Sequence, residues 1–97
     1  MKFDITAGAQ RDIREAAAYY REISEVLEGP FVEEAYLRMK GIRQHPLACR
    51  IVRQRSRRAN LPCFPYCLLY SVEGDVIWVL AVLHQARHPR HFFGRLP

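Results

Sequence analysis

His84 and Arg87 lie three residues apart where the last apolar run gives way to a basic tail, and Arg58 and Tyr66 fall in the segments before it. Brought together, these four have the side-chain types that phosphodiester cleavage by an adjacent 2′-hydroxyl requires. That reaction needs a base for the hydroxyl, cations around the phosphate and an acid for the leaving oxygen. Histidine titrates near neutrality and can serve as acid or base. The structural alternative is a strand-end histidine bonded to backbone, with Arg87 paired to an acid. Residue types leave both open, because the chemistry depends on convergence that only the fold can supply.

A second group is the stretch RIVRQRSRR, which holds five arginines in nine residues. A spacing of two would place Arg53, Arg55 and Arg57 on one face of a strand. Such a stripe is either a recognition surface for an anionic partner or a charged edge that resists aggregation. Tyr66, Tyr70 and Trp78 offer faces for stacking, yet aromatics at strand spacing more often belong to a core. Metal binding is not expected. Cys63 and Cys67, four apart in an extended segment, would sit ~13 Å from one another at ~3.3 Å per residue. His84, His88 and His91 have helical spacing, but Pro89 interrupts any helix there. No base is fixed beside a cysteine, so thiol catalysis lacks support, and no cofactor is expected.

The elements that must carry these residues follow from periodicity. KFDI alternates as a short first strand, and Thr6 stands where a helix N-cap belongs. Ile13, Ala16, Ala17, Tyr20, Ile23 and Leu27 keep the 3.6-residue period of an amphipathic helix. Gly29 is the expected stop and Pro30 the expected first residue of a second helix. Phe31, Ala35, Met39 and Ile42 form that helix's stripe, which should end near His45 because Pro46 follows. From Arg50 the period becomes two. RIVRQR and RRANLPCF read as polar strands near an edge or bend, broken by Pro62 and Pro65. YCLLYSV and VIWVLAVL read as central strands joined through Glu73, Gly74 and Asp75. The class is α+β, with a two-helix hairpin packed on one face of a mostly antiparallel sheet.

With 97 residues there is room for one core and one domain, spanning 1–97. The apolar run Val76 to Leu83 is far short of the ~20 residues that span a bilayer, and the start lacks a signal-type apolar core. Composition therefore predicts a soluble, intracellular protein without a membrane role. The odd number of cysteines, Cys49, Cys63 and Cys67, favours reduced thiols. The net charge of +5 is unevenly divided: residues 1–34 carry eight acids against four bases, residues 35–97 two acids against eleven bases. That segregation points to an anionic partner for the second part, nucleic acid or acidic protein. VIWVLAVL is apolar on both faces, whereas two helices can cover only one. The other face requires the tail with Phe92 and Phe93, a second copy or a different protein, and a near-obligate partner is the expectation.

FPYCLLY, followed by a hairpin, an apolar strand and LHQARHP, resembles the C-terminal part of the RelE/ParE toxin superfamily of bacterial type II toxin–antitoxin modules. Ala9, Asp12, Ile13 and Tyr20 on the first helix, then Ile42 with Pro46 four residues later, stand in the order such proteins show. The resemblance covers nearly the whole chain and leans to the ParE and plasmid-stabilisation branch. It implies a β-α-α-β-β-β(-β) fold and a cytoplasmic toxin held inactive in a hetero-oligomer with a cognate antitoxin. The antitoxin would wrap the toxin with an acidic, partly disordered segment, by helix-in-groove or strand addition. Arg53, Arg55, Arg57, Arg58, Trp78, Arg87, Phe92 and Arg95 would meet the partner. The leading activity implied is inhibition of DNA gyrase, which involves no catalysis. The alternative is RelE-like, ribosome-dependent cleavage of messenger RNA, with His84, Arg87, Arg58 and Tyr66 as the catalytic set. A protein-binding module without toxicity is a further alternative.

Overall fold

Thr6 is the joint at which the first strand becomes the first helix. Its extended backbone caps the helix and its hydroxyl accepts the Ala9 N–H at 3.2 Å. The same hydroxyl donates to the Leu80 carbonyl at 3.3 Å, tying the cap to the middle of the sheet. The computed structural model describes residues 1–86. Their elements are β1 (Lys2–Ile5), α1 (Ala7–Ile23), α2 (Glu25–Gln44), β2 (Ile51–Arg53), β3 (Ser56–Asn60), β4 (Tyr66–Glu73) and β5 (Val76–His84).

The five strands form one sheet in the order β1-β5-β4-β3-β2. β1 runs parallel to β5, and the other neighbours are antiparallel. The expected α+β class and mostly antiparallel sheet are what the chain adopts. Both helices lie on one face, where Ala9, Ala16, Ala17 and Tyr20 of α1 and Phe31, Met39 and Ile42 of α2 close over Leu68, Tyr70, Ile77, Val79 and Val82. At one end of this core Tyr20, Phe31, Phe64 and Tyr66 pack ring to ring, with centroids 4.9 to 5.9 Å apart. Each such pair adds about 0.5–1.5 kcal/mol beyond area burial.

The helix boundary differs from the expectation. α1 stops at Ile23, and Ser24 separates the helices with extended dihedrals of −165° and 132°. Its N–H closes α1 on the Tyr20 carbonyl, and its own carbonyl accepts from Leu27. Glu25 and Glu28 then occupy the first turn of α2, where carboxylates are favoured by the helix dipole. Gly29 and Pro30 lie inside α2. Pro30, the sixth helical residue, leaves unpaired the carbonyl of Val26, a residue 75% exposed and open to water.

β3 ends at Asn60, shorter than the periodicity suggested, because Pro62 and Pro65 cannot donate to a ladder. The β4–β5 hairpin turns through Gly74 and Asp75, and positive φ at Gly74 alone gives the type II′ pattern that matches strand twist.

On the face away from the helices, Cys67, Leu69, Ala81 and Leu83 form a second cluster, each at most 4% exposed. Their burial is what an apolar strand with two inward faces requires. Whether Phe92 and Phe93 contribute lies outside the described residues. Among the described residues no helix is long and apolar enough to cross a membrane.

Candidate partner-binding face

Strand register fixes which side chains share a face. Arg57 lies opposite Tyr70, Ala59 opposite Leu68, and Tyr66 opposite His84, all on the helix side. The other side carries a complete row across the sheet: Asp4, Trp78, Ser71, Ser56 and Arg53, each the register partner of the next. Arg58 and Asn60 follow on β3, opposite Leu69 and Cys67. Ser56 and Ser71 are fully buried between the larger ends of the row, and neither hydroxyl has a hydrogen-bond partner among the described residues. Trp78 is 37% exposed, in contrast to the buried residues of the second cluster beside it.

The basic residues of this region differ in what their side chains bind. Arg57 Nη1 donates to the carbonyls of Leu47 at 3.1 Å and Cys49 at 2.6 Å, so it fastens the α2–β2 connection to the sheet. Arg55 sits in the β2–β3 turn, beside Gln54 with a φ of 51°, and pairs with Glu73 at 2.9 Å. Arg53, Arg55 and Arg57 therefore do not line one face as the spacing of two predicted. The tight turn interrupts the alternation after Arg53, and Arg57 resumes it on the helix side. Arg58 Nε donates to Asn60 Oδ1 at 3.0 Å along the second face. Burial pushes the Cys67 thiol up, and the nearby Arg58 charge pulls it partly back.

His84 ends β5 with its Nδ1 accepting the Ala86 N–H at 3.0 Å and its ring edge-on to Tyr66 at 5.2 Å. Tyr66 belongs to the aromatic end of the core. The described members of the proposed catalytic set are thus split by the sheet, with His84 and Tyr66 on the helix side and Arg58 on the other. A bulge is responsible: Leu69 pairs with Ala81 and Tyr70 with Val79, so Leu80 is skipped. That extra residue turns His84 away from the face it would share with Trp78 under strict alternation. Arg87, Phe92 and Arg95, the remaining candidates, lie outside the described residues. Among the described residues no three His, Cys, Asp or Glu side chains gather as a metal site would require.

Three connections that hold this arrangement were not anticipated from sequence. Glu34 Oε2 accepts the backbone N–H groups of Cys63 and Phe64 at 3.0 and 3.2 Å, pinning the loop before β4 to α2. The Tyr70 hydroxyl donates to the Pro46 carbonyl at 2.8 Å, and burial followed by its Cys49 neighbour holds that phenol well above its usual range. Asp12 Oδ2 accepts the Val82 N–H at 3.0 Å, covering β5 where β1 has ended. Asp12 and Pro46 are both residues on which the family resemblance rested.

Residues 3–89 match the sequence profile of a family described as the ParE toxin of the type II toxin–antitoxin system parDE. A solved structure described as the chromosomal ParDE TA system from P. aeruginosa contains a similar chain, with a TM-score of 0.79 and 20% sequence identity. The similarity covers 87% of this chain and 95% of that one. Among curated proteins, no sequence matches.

Proposed function

Because the chain belongs to the ParE toxin family of type II toxin–antitoxin systems, we propose that it is the toxin of such a pair, inhibiting DNA gyrase in the cytoplasm until a cognate antitoxin neutralises it. The observation that carries this reading is the second face of the sheet, where an exposed tryptophan shares a cross-strand row with Arg53 and Arg58 lies on the same face two strands away. A face that carries both an aromatic anchor and guanidinium groups suits protein recognition, since tryptophan and arginine dominate binding hot spots. Arg58 and Arg53 favour an acidic partner, and Arg55 at the rim adds charge even while paired to Glu73. From sequence, Arg87, Phe92 and Arg95 are proposed to extend this surface.

Gyrase inhibition is favoured over RNA cleavage by the separation of His84 from Arg58 across the sheet and by the backbone bond that His84 Nδ1 accepts. A nuclease site needs base, cation and acid within reach of one phosphate. Induction of the chain in bacteria, with plasmid topology and transcript ends read in parallel, tests the proposal. Trapped DNA breaks and altered supercoiling are expected, and they should persist in His84→Ala and disappear in Trp78→Ala. Transcripts cut at codon positions, with loss of cutting in His84→Ala, would establish the nuclease instead. Normal growth throughout would leave a protein-binding module.

A further inference from the structure

The acidic and basic parts of the chain meet solvent at different corners of the fold, and each corner exposes apolar side chains. The first corner is the tip of the helix hairpin. Tyr19 and Ile23, one turn apart on α1, and Val26 in the first turn of α2 are each more than half exposed. Glu22 and Glu25 stand beside them in sequence, and neither forms an ion pair among the described residues. The nearby Arg21 is held by Glu28 at 3.3 Å.

The second corner is the ribbon of β2 and β3. All three residues of β2 are exposed, so this strand stands clear of the core. Leu47 in the connection before it and Ile51 within it are more than half exposed. Arg50 and Arg53 bracket Ile51 and Val52, and Arg50 forms no ion pair among the described residues.

One molecule cannot bring these corners together. Tyr20, beside the first, packs on Tyr66 at the start of β4. Arg53 is in register with Ser56, and Ser56 with Ser71, five residues further along β4. That separation is ~16 Å along the strand at ~3.3 Å per residue, with two further strand spacings across the sheet.

We propose that the tip of the helix hairpin docks on the β2–β3 ribbon of a second copy of this chain, head to tail. Tyr19, Ile23 and Val26 would lie against Leu47, Ile51 and Val52 of the second copy, with Glu22 and Glu25 set against its Arg50 and Arg53. The apolar residues of the ribbon decide its occupant. A nucleic-acid backbone is matched by cations alone, whereas Leu47 and Ile51 call for apolar surface to cover them. The acidic hairpin supplies apolar surface and opposite charge together. Because the contact joins two different patches, a dimer retains one free tip and one free ribbon and can add further copies. Arg53 also belongs to the cross-strand row of the second face, so a copy seated on the ribbon covers part of the surface proposed for the target. Self-association would then withdraw toxin from its target as concentration rises. That consequence rests on the toxin reading, while the contact itself does not.

The test is sedimentation equilibrium of the full chain and of two charge-reversed variants, Glu22→Lys with Glu25→Lys at the tip and Arg50→Glu with Arg53→Glu on the ribbon. The unaltered chain should gain mass with concentration up to about 1 mM at low salt. It should return to monomer at about 1 M salt, where the Debye length is about 3 Å. Each variant alone should stay monomeric, because its two patches now carry the same sign. An equimolar mixture should form a dimer and nothing larger, since only one intact tip and one intact ribbon remain to meet. All four reversals in one chain should restore association. Ile23→Ser with Val26→Ser leaves every charge in place and should weaken association about tenfold or more. Both positions are exposed, so this pair carries the test if a charge reversal unfolds the hairpin, as circular dichroism would report. An unaltered chain that is monomeric throughout, variants that associate as it does, or a mixture that stays monomeric would each overturn the proposal. So would association that stops at a dimer and ignores the tip reversal, the sign of a two-fold contact elsewhere. Growth arrest on induction is scored separately. Arrest by a chain that never associates removes the contact alone, whereas association without arrest removes the toxin reading and leaves the contact standing.

Discussion

Arg57 and Arg58 are adjacent in β3 and serve opposite faces of the sheet. Arg57 reaches back to the Leu47 and Cys49 carbonyls, while Arg58 lies along the second face with Asn60. Replacing Arg57 with alanine removes two bonds from a charged donor, and a contribution of about 1.5–3 kcal/mol should be lost from stability. Arg58→Ala should cost under about 1 kcal/mol of stability and weaken association with an acidic partner. Urea denaturation and partner titration, run on both variants, separate the two roles. Equal stability losses would show that both arginines are structural.

Trp78 sets a different balance between folding and binding. It is 37% exposed, so truncation removes modest packing within the chain. As the aromatic centre of the proposed interface it should act as a hot spot, and Trp78→Ala should weaken partner binding by about 2 kcal/mol or more, roughly thirtyfold. Calorimetric titration measures this directly. Unaltered affinity would move the interface off this face.

Most of the architecture is visible in the chain's periodicities, because each element announces itself locally. The Thr6 cap, the Phe31-Ala35-Met39-Ile42 stripe and the Gly74 turn involve neighbours in sequence, and each stands where local chemistry puts it. The site is less legible because it depends on register. The skipped Leu80 reverses the direction of His84 relative to Trp78, and no residue type in VIWVLAVLH marks that bulge. The Gln54 turn likewise breaks the apparent stripe of Arg53, Arg55 and Arg57 without a glycine to signal it. Ser24 ends α1 in place of Gly29 because two acidic residues after it favour a new helix start over continuation. Glu34 reaches a loop 29 residues away, a pairing that only the assembled fold can specify.

Tyr70 makes stability fall at alkaline pH. Its side chain is fully buried and burial raises its phenol well above the usual value of 10.0. Above that pH the unfolded chain ionises Tyr70 and the folded chain does not, so the unfolded state holds fewer protons and stability declines with rising pH. The contribution is intact below about pH 10, and its loss approaches about 1.4 kcal/mol per pH unit above it until the folded group also ionises. Tyr20, also raised chiefly by burial, acts in the same direction. Tyr70→Phe should lose about 1 kcal/mol at neutral pH with the Pro46 bond, yet show a shallower decline above pH 10 in denaturation series. An unchanged alkaline slope would mean that other groups dominate it.

Glu34 couples the reactivity of a thiol to the anchoring of a loop. Its carboxylate accepts from the backbone of Cys63 and Phe64, and its hydrogen bond and negative charge raise the exposed Cys63 thiol above its usual range. Glu34→Gln removes the charge, so the Cys63 thiolate should form more readily and react faster with a disulfide reagent at pH 8. Cys67, buried and also raised, should react slowly in both proteins and serves as the internal reference. The same substitution weakens two charge-assisted bonds and should cost about 1–2 kcal/mol of stability. A Glu34→Asp variant distinguishes the effects, because it keeps the negative charge while shortening the reach to the loop. Slow thiol reaction with reduced stability in Glu34→Asp, against fast reaction in Glu34→Gln, is the expected pattern. Equal rates in both variants would show that loop release, and not the carboxylate's charge, governs Cys63.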